Sequence, residues 1–241
     1  MLFAAGIGSR MKPLTDHRPK ALIEVGGVPL LEIAIRRLIH FGFNEVIVNV
    51  HHFADQIEEY IHRHRDRWGI HIVTSDERDQ LLDTGGGLKK AQWFFDDGKP
   101  FLCCNVDIIS NIDLQKLYDT HVKGEAIATF AVQQRETSRY MLFDQEEILY
   151  GWMNTKTKEV KISRRGLKYL KMFSFSCFQI LDPSIFSLAP QEEVFSMIDL
   201  YLKVSAYHKV KAYPHLNDLW LDVGKPEAIP EANKILELMP F

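Results

Sequence analysis

Only three cysteines occur in 241 residues, two of them adjacent at Cys103-Cys104 and the third at Cys177. That number and spacing exclude a disulfide framework and a zinc finger, so reduced core thiols in a cytoplasmic protein are expected. No apolar run reaches the roughly 18 residues of a membrane-spanning helix, and the N-terminus lacks a basic segment leading into a signal-like apolar one. Blocks of basic charge are missing too. The 29 Lys and Arg residues are interspersed with 32 Asp and Glu, for a formal net charge of −3. This leaves no basic face for nucleic acid and no polybasic stretch for a membrane, and nothing implies a protein partner. Linkers rich in Ser, Gly or Pro, internal repeats and low-complexity tracts are also absent. What is present is a chain 46% hydrophobic, enough to bury a substantial core, and one domain over residues 1–241 is expected.

Apolar, β-rich runs alternate with stretches of helical period in the first half, as βαβ units require. Strands are predicted at Met1–Ala4, Glu45–Val50, Ile70–Thr74 and Phe101–Asn105, and helices at Leu30–Phe41, Ala54–His64 and Gly87–Phe95. Right-handed crossovers between them make the sheet largely parallel. They bring Gly6–Lys20, Asn49–His52 and Asn105–Asp107 to one edge, the expected ligand crevice. In the second half, Ala126–Val132, Tyr140–Phe143, Ile148–Trp152 and Met172–Ile180 read as hairpin-linked strands that make the sheet mixed. A helix near Val194–Ser205, strands at Lys209–Tyr213 and Trp220–Asp222, and a helix from Lys225 close the chain. Only Met1–Phe3 precede Ala4, whereas an opening strand usually needs about five or six residues. Either this strand is short or the native reading frame begins earlier.

The richest stretch is Ala4-Ala5-Gly6-Ile7-Gly8-Ser9-Arg10, followed by Met11-Lys12-Pro13-Leu14-Thr15 and by Pro19-Lys20-Ala21-Leu22. Two glycines let the backbone bend tightly and bring its N–H groups close to an anion. Arg10 offers a planar fork for two phosphate oxygens, and Lys20 a mobile point charge suited to departing pyrophosphate. Downstream, Leu81-Leu82-Asp83-Thr84-Gly85-Gly86-Gly87 leads into helical periodicity, where bare backbone admits a flat base or a sugar as readily as it makes a plain turn. Asp107 ends an apolar strand, and Asp222 stands in Trp220-Leu221-Asp222-Val223-Gly224-Lys225-Pro226. Two carboxylates joined by phosphate oxygens and water suit Mg²⁺. His51-His52 reads as a surface turn, Glu58-Glu59 as a solvated helix face, and Phe94, Phe95, Phe173, Phe175 and Phe178 as core.

Read in full, Ala4–Thr15 with Arg18–Leu22 resembles the signature of the sugar-1-phosphate nucleotidyltransferases, and Leu81–Gly87, Asn105–Asp107 and Trp220–Pro226 resemble its later motifs. The resemblance implies a three-layer, Rossmann-like α/β nucleotidyltransferase fold, with a nucleotide-binding part over residues 1–125 and a sugar-phosphate-binding part over residues 126–241. It implies an enzyme that joins a nucleoside triphosphate to a sugar 1-phosphate with Mg²⁺ and releases pyrophosphate. In that reading Ala5, Gly6, Gly8 and Ser9 contact the nucleotide, Arg10 and Lys20 carry the catalysis, and Gln80, Gly85 and Gly86 line the nucleobase. Asp107 and Asp222 hold the metal, and Asn105 and Ser176 reach the sugar phosphate.

Four departures stand out. Asp83 replaces the family's Glu or Gly, Val106 interrupts Asn-Gly-Asp, and Cys177 stands where glycine is usual. The Glu-Lys-Pro segment that supplies a sugar-phosphate lysine is missing from Ala131–Ser163, so either another cation, such as Arg135, Arg139 or Lys161, serves that phosphate or the sugar subsite is unusual. Within the family, the Asp-Thr-Gly-Gly-Gly loop and the Trp-Leu-Asp-Val-Gly ending look most like uridylyltransferases of cell-wall recycling, so UTP is favoured. Mannose- or heptose-1-phosphate guanylyltransferases come next. Val106, Cys177 and the missing lysine also leave open a nucleotide-sugar-binding protein without turnover. A dinucleotide oxidoreductase is disfavoured because Ala4–Arg10 lacks the third glycine of Gly-x-Gly-x-x-Gly.

Overall fold

The computed structural model describes residues 1–166 and 169–239. The chain forms two compact units: one of Met1–Leu81, Cys104–Ile112 and the chain from Asp218, the other of Leu82–Cys103 and Asp113–Asn217.

In the first unit, the β-branched run Glu45–Val50 is buried along all but its first residue, the pattern of a parallel strand covered on both faces. It pairs in parallel with His71–Asp76 on one side and with Leu2–Phe3 on the other, and Leu2–Phe3 pairs in parallel with Cys104–Asn105. Within this sequence, Leu2–Phe3 is held between these two partners. Helices Leu30–His40 and Ala54–Trp68 make the crossovers. The second runs a turn past its predicted end and stops at Gly69, which takes the left-handed conformation of a helix C-terminus (φ 62°). All four strands end toward one edge, where the chain leaves as Ala4, His51, Glu77 and Val106. An apolar cluster of Met11, Ile23, Val25, Leu30, Ile33, Ile109, Val223, Ala232, Ile235 and Met239 underlies that edge.

The second unit is mainly antiparallel. Strand Lys171–Leu181 pairs antiparallel with both Ala128–Gln133 and Arg139–Phe143, and the hairpin continues through Leu149–Asn154 to Glu159–Ile162. Val210–Pro214 joins Ala128–Gln133 in parallel. Helices Asp83–Lys90, Leu114–Gly124 and Met197–Ser205 complete it, around the fully buried Phe130, Phe143 and Tyr201. The glycine run is thus inside the first turns of a helix, not ahead of a helix at Gly87–Phe95. Parallel and antiparallel pairings together make the mixed sheet of a Rossmann-like α/β fold.

Candidate functional site

The glycine loop begins where Phe3 leaves the sheet. Gly8 takes φ +70°, and a Cβ there would lie 3.0 Å from Thr15 Cγ2 and 3.2 Å from Lys20 Cβ, so both backbone and packing require glycine. The Gly8 carbonyl accepts from Met11 N (2.8 Å) and from the buried Thr15 hydroxyl (2.9 Å), which closes the loop on itself. Met11 then anchors the loop in the apolar cluster. Gly6 is different. Its φ is ordinary and no atom lies within 4 Å of where a Cβ would be, so nothing inside the protein demands its bareness. Among the described residues, none of the N–H groups of Gly6 to Arg10 donates to a protein acceptor. Gly6, Ile7, Ser9 and Arg10 are exposed, so these donors are open to solvent and available to an anion.

Two strands bring the carboxylates to this loop. Trp220–Asp222 pairs antiparallel with Ile108–Ser110, with Asp222 opposite Ile108, and Val223 N donates to Asp107 O (2.9 Å). Ile109 and Val223 share the Met11 cluster, so one apolar base supports the glycine loop and both carboxylate-bearing segments. Lys20 Nζ forms an ion pair with Asp107 Oδ2, with side chains only 11% and 17% exposed. Arg10, with a side chain 63% exposed, reaches to 4.0 Å from Asp222 Oδ2. Gly224 makes room for that meeting, since a Cβ would lie 2.7 Å from Asp222 Oδ1 and 3.0 Å from Arg10 Nη2. Arg10, Lys20, Asp107 and Asp222 thus form one cluster of alternating charge beside the free N–H groups. Two carboxylates are the hard oxygen donors a divalent cation takes, and phosphate oxygens and water would complete its coordination. No third His, Cys, Asp or Glu joins them among the described residues.

Asn105, half-buried, ends its strand beside Phe3. Val106 is buried and donates its N–H to Phe3 O (3.1 Å), a core position and not a wall of the crevice. Gln80 is exposed in the turn after Glu77. His51 Nδ1 lies 2.6 Å from Glu77 O, consistent with a turn.

Three sequence expectations change. Gly85 and Gly86 do not leave an open ledge, because both N–H groups donate to Phe195 O (2.9 and 3.2 Å). A Cβ on Gly85 would overlap the Phe195 ring, and one on Gly86 would overlap the Glu193 carbonyl. Packing accounts for these two glycines. Ser176 is fully buried, with Oγ 2.6 Å from His215 Nε2, so it does not face a sugar phosphate. Cys177 adopts φ +60° where the pairing of Lys171–Leu181 slips between Phe175 and Gln179. This bulge explains why the family prefers glycine there. Of the three cations offered for the sugar phosphate, Lys161 is paired with Asp199 (3.0 Å) and Arg135 donates to Phe175 O (3.3 Å). Arg139 is exposed in its strand.

Sequence motifs missed two residues. Asn49 Oδ1 accepts from Ala4 N (2.7 Å) and Ala5 N (3.3 Å), and its Nδ2 donates to Glu77 Oε1 (2.7 Å). The Ala5 N–H is therefore turned into the protein. The sequence places Asn49 at the crevice edge, an amide within the apolar run Glu45–Val50, but shows no partner for it and no signal for Glu77.

Residues 1–150 match the nucleotidyl transferase family. The N-acetylmuramate alpha-1-phosphate uridylyltransferase of Caulobacter vibrioides is 34% identical over 236 residues, covering 95% of this chain and 92% of that protein. The mannose-1-phosphate guanyltransferase of Yarrowia lipolytica is 25% identical over 231 residues, covering 94% of this chain and 61% of that protein. Among solved structures, HddC from Yersinia pseudotuberculosis complexed with GMP-PN aligns with a TM-score of 0.77 at 18% identity, over 98% of this chain and 97% of that one. A putative glucose-1-phosphate thymidylyltransferase from Bacillus anthracis aligns with a TM-score of 0.80 at 16% identity, over 100% of this chain and 95% of that one. Those two likenesses establish the fold. Since the family match spans more than half of the chain and carries the glycine loop, Lys20 and Asp107, and one relative extends the similarity through Asp222, this chain belongs to the nucleotidyl transferase family.

Proposed function

We propose that this protein transfers a uridylyl group from UTP to a sugar 1-phosphate, with N-acetylmuramate 1-phosphate as the sugar substrate, and releases pyrophosphate in the cytoplasm as a step of cell-wall recycling. The observation that carries the proposal is the meeting of Gly6–Arg10, Lys20, Asp107 and Asp222 in one cluster, within a chain similar along nearly its whole length to a uridylyltransferase of that substrate.

The reaction is in-line attack of a sugar-phosphate oxygen on the α-phosphorus of UTP, with the bond to pyrophosphate breaking. A phosphate monoester is already anionic at neutral pH, so no general base is required and catalysis rests on positioning and charge. The N–H groups of Gly6 to Arg10 and the Arg10 guanidinium bind the β- and γ-phosphates. Lys20 turns from Asp107 toward the charge that accumulates on pyrophosphate. Asp107 and Asp222 would hold Mg²⁺, which would supply positive charge to offset that of the reacting phosphates. Gln80 and the backbone near it face the base, and Asn105 faces the sugar phosphate.

Pyrophosphate release is the test, with UTP, GTP, CTP and dTTP each combined with N-acetylmuramate, N-acetylglucosamine, glucose and mannose 1-phosphates. UTP with N-acetylmuramate 1-phosphate should turn over fastest. The mannose-specific relatives that span most of this chain give the competing reading, and a predominantly GDP-linked product would establish it. No pyrophosphate from any pair would overturn the enzymatic reading altogether.

A further inference from the structure

Ala4 and Ala5 pose a problem of backbone chemistry. The chain leaves the parallel sheet after Phe3, so their N–H groups lose the ladder partners that strand residues have, yet both residues are buried. One side chain from the neighbouring strand meets both donors. Asn49, opposite Phe3 in the register and 2% exposed, accepts from Ala4 N at 2.7 Å and from Ala5 N at 3.3 Å. An amide can point either end at the loop, and only its oxygen accepts. Glu77, fully buried where the next strand ends, accepts from Asn49 Nδ2 at 2.7 Å, which leaves Asn49 Oδ1 toward the loop. Glu77 is itself held by its own N–H on Val50 O (2.7 Å) and by its carbonyl against His51 Nδ1 (2.6 Å). Three strand ends are thus tied at the edge from which the glycine loop departs.

From this we infer that Asn49 and Glu77 are positioning residues for triphosphate binding: Asn49 sets the direction in which Ala4 and Ala5 leave the sheet, and so the aim of the N–H groups of Gly6 to Arg10, and Glu77 sets the orientation of Asn49. The inference rests on the assignment of that loop to the triphosphate. Both residues are buried, so their effect passes through the loop. Partners that orient groups in contact with a ligand typically change affinity or activity about 10- to 100-fold when removed, because a small misaim is felt by several donors together.

The experiment exchanges the amide and the carboxylate at constant shape. Asn49→Asp keeps an acceptor for Ala4 and Ala5 but sets a carboxylate against Glu77. Adding Glu77→Gln restores a donor between them. Asn49→Asp should weaken UTP binding, measured by calorimetry, by about tenfold, with the double variant returning to within about threefold of wild type. The KM for the sugar 1-phosphate should stay within about twofold throughout; a loss of folded protein alone lowers the active fraction and leaves both KM values unchanged, so it would not weaken UTP selectively. Glu77→Leu, which offers no acceptor, should weaken UTP binding as Asn49→Asp does. Unchanged UTP affinity in Asn49→Asp and Glu77→Leu, or equal weakening toward both substrates, would overturn the inference. If Asn49→Asp does not fold, the double variant and Glu77→Leu decide by the same two affinities; if none of the three folds, the pair belongs to the core and the inference fails. A wild-type protein that binds no nucleoside triphosphate would instead overturn the function proposed above.

Discussion

Arg10 and Lys20 sit on opposite terms with the carboxylates: Lys20 is nearly buried in a direct ion pair, whereas Arg10 projects into solvent 4.0 Å from its partner. Replacing either carboxylate by the isosteric amide removes charge without removing volume. Asp107→Asn and Asp222→Asn should each keep the fold and lower kcat by about two orders of magnitude or more. Turnover at saturating UTP, read beside the circular dichroism spectrum, checks this, and near-normal kcat in folded Asp222→Asn at ordinary Mg²⁺ would remove it from the site. The two loop glycines make a sharper pair. Gly8→Ala must force a Cβ into left-handed backbone against Thr15 and Lys20 and should destabilise the protein by about 1–2 kcal/mol. Gly6→Ala meets nothing within 4 Å, so its melting temperature should stay at the wild-type value while UTP binding weakens. Thermal melts beside UTP titrations separate the two effects. These residues were legible in the sequence because they lie in short, dense motifs. Asn49 and Glu77 were not, because their partnership arises only when strand register sets Asn49 beside both Phe3 and Ser75.

At the scale of elements, Glu45–Val50, Phe101–Asn105 and Trp220–Asp222 coincide with their predicted limits, since continuous apolar runs or a fixed motif mark them. Two other elements left no such mark. Glu159–Ile162 is exposed along its length and has no inside-outside alternation to read. Leu114–Gly124 buries only Leu114, Leu117 and His121, and the histidine hides the apolar stripe. The helix Asp83–Lys90 carries the most instructive misreading, because bare backbone suited to a ligand is equally suited to a close neighbour within the protein. Gly86→Ala would meet the Glu193 carbonyl and lie 2.9 Å from Leu82 Cβ. It should lower stability by about 1–3 kcal/mol through overpacking. Denaturant unfolding checks this, and an unchanged midpoint would mean that the segment around Glu193 yields without cost.

For the molecule as a whole, acid should act through His121. Burial holds this imidazole below its ordinary value of 6.5, against a weaker opposite pull from the Asp182 carboxylate, and Nδ1 lies 3.0 Å from Thr129 Oγ1. The unfolded chain therefore takes up a proton at a higher pH than the folded one. The stability this histidine contributes is complete above pH 6.5 and is lost as pH falls toward its folded value. Denaturation midpoints at pH 7.5 and 5.5 should differ more in the wild type than in His121→Gln, and equal differences would exclude His121 as a source of acid sensitivity.

Met11, Ile109 and Val223 belong to one apolar cluster, and each stands within two residues of Arg10, Asp107 or Asp222. The reactive groups consequently have no hinge of their own between them and the core. Heat that loosens the cluster disperses the charges in the same event, so residual activity after brief heating should decay in step with the melting of this core, with no plateau of folded but inert enzyme.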